Sequence, residues 1–189
     1  MRYLKYVTSL VVALLAFSFV SAQEAGIRFF KGTFAEALAE AQRQNKPLFV
    51  DFYATWCVPC KKMEKTIFTQ PEVGKFFNEK FVNLQMDAEA PENVEIAKKY
   101  KVEAFPTLGI IAPDGKAIQI NVGFMKADEL LEMGKTAIGE VKGFEELYKE
   151  HRAQPNDLKI QQELLTIAPR FLTTQDGMDA DENRVCRTA

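Results

Sequence analysis

The stretch VDFYATWCVPCKKME, Val50 to Glu64, runs an apolar segment carrying one acid, Asp51, straight into two cysteines three positions apart. The segment PLFVDFYA (Pro47–Ala54) is apolar, aromatic, of strand length and nearly without alternation, the pattern of a central strand covered on both faces. From Cys57 to about Phe68 the residues favour helix, so Cys57 falls at a helix start and Cys60 one turn deeper. Thiol–disulfide exchange needs a thiolate, and a free cysteine of pKa ~8.5 offers few at neutral pH. The unpaired N–H groups and positive dipole end of a helix favour the anion, lowering that pKa by roughly one unit or more. Pro59 presets a helical φ and removes an N–H that would lack a partner in the first turn. Lys61 and Lys62 add positive charge nearby.

A Cys-x-x-Cys pair also occurs in zinc sites. Such a site needs two further ligands, and the remaining candidates, His151 and Cys186, lie far along the chain, so no metal site is expected. A purely structural disulfide is equally disfavoured, because so short a loop restricts the unfolded chain little.

Around this block the chain alternates elements. TFAEALAEAQRQNKP reads as a helix with capping-box spacing between Thr33 and Glu36, an apolar face of Phe34, Leu38 and Ala41, and closure at Asn45 and Pro47. Pro71 opens a further helix that turns Val73, Phe76 and Phe77 inward. FVNLQMD is a second buried strand and PENVEIAKKY a short helix. TLGII and KAIQINVG flank Pro113-Asp114-Gly115 as an antiparallel hairpin, and KADELLEMGKTAI supplies one more helix. A short leading strand at Ile27–Phe30 is only faintly signalled. The order predicts an α/β fold: parallel βαβ connections in the first half, with the hairpin adding antiparallel strands to the same central mixed sheet.

At 189 residues, 47% hydrophobic, the chain suits one globular domain with an extension. Residues 1–22 carry Arg2 and Lys5, an apolar run Val7–Val20, and small residues before Gln23, the pattern of a cleaved signal peptide; the competing reading is a retained membrane anchor. Removing two basic residues and no acid takes the net charge from −2 to −4, which gives no electrostatic case for nucleic acid. Export implies a compartment in which disulfides form, yet three cysteines cannot staple a scaffold. Beyond Gly143, two amphipathic helices broken at Pro155 are expected over 143–173, with Ile160, Leu164, Ile167 and Phe171 as an apolar stripe that packs on the parent domain. Residues 174–189 turn polar and are expected to be disordered. His151 reads as solvated. Cys186, in CRTA, is not a prenylation signal and reads as a loose thiol.

VDFYATWCVPCKKM, followed at a distance by EAFPT (Glu103–Thr107), resembles the thioredoxin superfamily. TIFTQPEVGKFFNEKFVNLQMD is similar, more narrowly, to secreted thioredoxin-like proteins related to the C-terminal domain of the bacterial transmembrane thiol:disulfide interchange reductase. The likeness covers about Phe29 to Ala137 and implies a thioredoxin fold over 23–142; it does not cover the helical extension. It implies that Cys57 is the exposed attacking thiol and Cys60 the buried resolving one, forming a redox-active disulfide. Trp56 would shield the pair, and Pro106 would be a cis-proline that turns the backbone of Phe105 towards an extended substrate. Asp51, desolvated in its strand, would exchange protons with Cys60 through water.

Three departures from the family pattern stand out. Asn83 aligns where many thioredoxins place a lysine opposite the acid, Val58-Pro59 replaces Gly-Pro, and Phe105 is bulky beside Pro106. The expected function is a secreted or periplasmic thiol:disulfide oxidoreductase, leaning to reductase. It acts on protein disulfides without a cofactor and is recharged by a membrane electron donor. The rivals are a non-catalytic binding module presenting the Phe105-Pro106 groove or the C-terminal stripe, and metal delivery through the dithiol.

Overall fold

The computed structural model describes residues 25–166 and 186–187. The expected signal peptide therefore lies outside the described residues, as do Ile167, Phe171 and most of the expected disordered tail. Helix α1 (Phe34–Gln44) starts on the capping box: the Glu36 N–H donates to Thr33 Oγ1 at 3.2 Å, and the Thr33 N–H donates to Glu36 Oε2 at 2.8 Å. It ends on Asn45 in the left-handed region at φ 50°. Strand β1 (Leu48–Tyr53) then runs through the centre of the molecule, and helices α2 (Val58–Thr66) and α3 (Pro71–Lys80) follow it. Strand β2 (Val82–Asp87) and helix α4 (Val94–Lys99) complete the parallel unit. The two-residue strand β3 (Ala104–Phe105) precedes β4 (Thr107–Ile111) and β5 (Ala117–Val122), and helix α5 (Ala127–Ala137) closes the domain.

The main sheet has the order β2-β1-β4-β5. β1 pairs with β2 in parallel and with β4 antiparallel, so it is the central strand, and apolar layers cover both of its faces as its unbroken apolar run requires. The hairpin expected around Pro113-Asp114-Gly115 forms, with Gly115 at φ +83°, a value L-residues avoid. Successive β1 side chains face opposite layers. Leu48, Val50 and Phe52 enter an apolar cluster with Phe34, Ala37 and Ala41 of α1, Ala97 of α4 and Phe105. Phe49 enters the other, with Met63 of α2, Phe77 of α3 and Leu130 of α5. Burial of each such side chain is worth about 1.5–3 kcal/mol, so both layers are needed to hold the strand.

Ile27–Phe30 does not form a strand. Instead it lies extended, tied by isolated hydrogen bonds from the Ile27 N–H to Phe68 O (2.7 Å) and the Phe30 N–H to Asn83 O (2.7 Å). Gly26 in this segment rests against Gly74 of α3, where an added Cβ would collide with the Gly26 backbone. Alanine at position 74 gains up to about 1 kcal/mol of helix propensity, but backbone cannot yield as a side chain would. Gly74→Ala is therefore expected to destabilise the fold by about 1–2 kcal/mol net, read as a lower urea midpoint. An unchanged or raised midpoint would contradict the close approach.

After Gly143, helix α6 (Phe144–Ala153) forms and residues 158–166 are helical, so helices lie on both sides of Pro155 as expected. Ile160 and Leu164 are half-buried. His151 departs from the solvated reading: it is half-buried, with a buried Nδ1 that lacks a protein partner. Cys186–Arg187 depart from the disordered reading. They form strand β6, antiparallel to β3, with Cys186 opposite Phe105 and Arg187 opposite Ala104. Short-range pattern cannot reveal such a pairing, because its partner lies some eighty residues upstream. No helix among the described residues is long and apolar enough to cross a membrane.

Candidate functional site

β1 ends at Tyr53, and a tight turn brings the Cys57 N–H to within 3.1 Å of Ala54 O. Cys57 is the N-cap of α2 at an extended φ of −71° and ψ of 110°, and Pro59 stands in the first turn. A cap residue ordinarily offers a side-chain oxygen to the free N–H groups; here Cys57 Sγ accepts from the Cys60 N–H at 3.2 Å. The two cysteines are joined in a disulfide with Cα atoms 5.4 Å apart. In the reduced state the same N–H would face a sulfur anion.

The expected difference in exposure between the cysteines is not found. Cys57 is 0% exposed and Cys60 4%, although the residues flanking Cys57 reach solvent, Trp56 at 46% and Val58 at 72%. Cys57 belongs to the apolar cluster that contains Phe105, and Cys186 packs against that cluster. Trp56 packs beside Phe105. Its ring meets Phe105 edge-on at 6.0 Å between centroids, and its Nε1–H donates to Glu89 Oε2 at 2.7 Å. Lys62 directs its ammonium over the Phe124 ring, 4.9 Å from the centroid.

The Phe105–Pro106 peptide bond is cis. Its surroundings hold it closely: Thr107 Oγ1 donates to Ala104 O at 2.7 Å, and the Gly123 N–H donates to Pro106 O at 2.8 Å. The Phe105 side chain is 1% exposed and packs inward. Its bulk therefore fills the core. Its backbone lies in β3, opposite Cys186 of β6.

Asp51 shares a face of β1 with Phe49, the side on which α2 lies. It is 1% exposed, and burial drives its carboxyl from 3.8 up to about 7; a hydrogen bond from Gln85 opposes the rise and the nearby Glu64 charge adds to it. Gln85 Nε2–H donates to Asp51 Oδ2 at 3.1 Å, while Oδ1 has no protein partner. This corrects the assignment of Asn83 as the residue across from the acid. The parallel register sets Asn83 beside Phe49 and Gln85 beside Asp51. Asn83 instead donates from Nδ2 to Phe77 O at 3.3 Å and braces α3.

A pocket of about 110 Å³, lined by Cys60, Lys61, Glu64, Gln85 and Tyr53 among others, opens beside Gln85, the hydrogen-bond partner of this acid. It is polar enough and large enough to hold water. Gln85 and Glu64 are the site residues that sequence reasoning missed. Glu64 carried a signal, since it stands four residues after Cys60 and hence on the same helix face. Gln85 could be found only from the register. Among the described residues, no group of three or more acidic, histidine or cysteine side chains could hold a metal ion.

Known proteins can be compared with this geometry. A sequence profile of the thioredoxin-like domain family matches residues 34–138, which contain β1 to β5 and both cysteines of the pair. The chain is 34% identical over 92 residues to the thiol:disulfide interchange protein DsbD of Neisseria meningitidis, a match covering 48% of this chain but only 15% of that protein. It is 33% identical over 112 residues to the chloroplastic thioredoxin Y of rice, covering 59% of this chain and 63% of the other. A solution structure of a candidate disulphide-isomerase from Bacteroides thetaiotaomicron superposes with a TM-score of 0.56 at 45% identity, covering 65% of this chain and all of that one. With more than half its length inside the family profile and the same fold in that relative, this chain belongs to the thioredoxin-like domain family.

Proposed function

We propose that the chain is a thiol:disulfide oxidoreductase that reduces disulfides in other proteins. The observation that carries this reading is the Cys57–Cys60 disulfide at the start of α2, in one apolar cluster with the residue before the cis Phe105–Pro106 bond. A redox couple thus adjoins backbone able to pair with an extended polypeptide.

In the reduced protein, the Cys57 thiolate attacks one sulfur of a substrate disulfide. The other substrate sulfur leaves as a thiolate, and a mixed disulfide joins Cys57 to the substrate. Cys60 then loses its proton to Asp51 through water in the adjoining pocket and attacks Cys57 Sγ. The Cys57–Cys60 bond forms, the second substrate sulfur departs, and two electrons have passed to the substrate. Asp51 suits this role because a carboxyl titrating at about 7 can take and return a proton at neutral pH. Trp56, Phe105 and Pro106 form the substrate edge.

The lean towards reduction rests on the resemblance of TIFTQPEVGKFFNEKFVNLQMD to the bacterial transmembrane thiol:disulfide interchange reductase. Residues 1–22 are read as an export signal, 23–142 as the redox domain and 143–173 as its helical extension. In an oxidising compartment the oxidised pair must be recharged, and a membrane-bound dithiol protein is the proposed donor. Titration of the pair against glutathione redox buffer tests the lean. A potential more negative than about −200 mV is expected, and one near the strongly oxidising end, about −120 mV, would make it an oxidase.

A further inference from the structure

The edge assigned to substrate is already taken in this structure by the chain's own C-terminal end. Cys186 and Arg187 pair antiparallel with Phe105 and Ala104, the two residues immediately before the cis-proline. We infer that the segment carrying Cys186 is an internal ligand of the substrate edge, holding a third thiol beside the Cys57–Cys60 couple and competing with protein substrates. The inference rests on the reading of that edge as the substrate site.

Four observations support it. Residues directly opposite in an antiparallel pair carry their side chains on the same face, so Cys186 projects to the side on which Phe105 is buried. Cys186 is half-buried and packs against the cluster containing Phe105, Cys57 and Cys60, as a thiol presented to the couple would. Cys57 is wholly buried between two exposed neighbours, Trp56 and Val58, as expected of a nucleophile whose approach is covered. The strand has a cysteine at the position opposite the residue before the proline, which is the chemistry this site would accept from a substrate.

The exchange needs no outside oxidant. The Cys186 thiolate attacks Cys57 Sγ, the Cys57–Cys60 bond breaks, a Cys57–Cys186 bond forms, and Cys60 leaves as a thiolate that takes the proton Cys186 released. No net oxidation occurs. A polypeptide disulfide must displace the strand before it can reach Cys57, so the tail restrains the reduced enzyme and selects substrates that pair more strongly.

The test uses the full chain with Cys60→Ser, treated with glutathione disulfide. Cys57 becomes glutathionylated, and a tethered Cys186 then displaces glutathione to give a Cys57–Cys186 bond within one molecule. A tethered thiol acts at an effective concentration on the order of millimolar, so at tenfold lower glutathione the internal bond should exceed the glutathione adduct by about tenfold in peptide mass spectra. A Cys57–glutathione adduct persisting with Cys186 unpaired would overturn the inference.

A second arm compares full-length chains in reduction of a peptide disulfide. Cys186→Pro, which removes the thiol and a backbone donor, should lower KM by about threefold or more relative to Cys186→Ser, which removes the thiol and keeps the strand. An unchanged KM in Cys186→Pro would show that the edge is free. The arms separate the two readings. Internal bond formation in a chain that reduces no protein disulfide removes the proposed function, whereas normal turnover without the internal bond removes only the tail's role.

Discussion

Cys57→Ser is expected to leave reduction of a protein disulfide such as insulin's at least about a thousandfold below wild type, near the uncatalysed rate. A serine hydroxyl keeps the N-cap hydrogen bond to the Cys60 N–H, so α2 should still start at Val58. What it lacks is an anion accessible at neutral pH, and exchange proceeds only through the sulfur anion. Cys60→Ser should behave differently. Attack by Cys57 survives, resolution does not, and substrates accumulate as mixed disulfides that survive denaturing electrophoresis without reductant. Circular dichroism of both variants should match wild type, which separates lost chemistry from lost folding. Activity of Cys57→Ser within about tenfold of wild type would sink the assignment of the nucleophile.

Asp51→Asn should make the protein more stable at pH 8 while making it a poorer catalyst. The carboxyl titrates at about 7 in the fold against 3.8 as the ordinary value, because burial in β1 strips its hydration. Between those two pH values the folded protein holds a proton that the unfolded chain has released. Stability must then fall as pH rises from about 4 through 7, and the full penalty is present only above the folded value. A displacement of roughly three units corresponds to about 4 kcal/mol, taken as an order of magnitude.

Asparagine is nearly isosteric, carries no charge, and keeps an oxygen to accept from Gln85. The variant should therefore gain about 3 kcal/mol over wild type at pH 8 and little at pH 4, read from urea unfolding at both values. Near neutral pH its resolution step should slow by about tenfold to a hundredfold, because Cys60 loses its proton acceptor. Equal or lower stability of Asp51→Asn at pH 8 would mean that the acid is not a desolvated charge.

The elements around the couple were readable because local rules decide them. An apolar run without alternation marked β1, Thr33 and Glu36 capped α1, and Pro113-Asp114-Gly115 closed a hairpin. The cysteine spacing placed one sulfur at a helix start and the other a turn inside. Where the reading erred, the deciding contact was remote. Asn83 was set against Asp51 by alignment with the family pattern, but only the register Leu48↔Val82 assigns Gln85 to that position. A shift of two residues keeps every side chain on its expected face, so the hydrophobic pattern cannot detect it. Ile27–Phe30 looked like a weak strand and is tied instead by single hydrogen bonds to Phe68 and Asn83.

By itself the sequence determined the layered α/β fold, the two sulfurs one helical turn apart, and the acid inside the central strand. Those depend on neighbours within a turn or a strand, and a chain carries that information locally. Only the tertiary structure decided which side chain faces Asp51, that both cysteines are covered, and that Cys186 lies opposite Phe105. Each of these depends on segments brought together from tens of residues away. Burial and pairing belong to the assembled surfaces, and no stretch of the chain taken alone contains them.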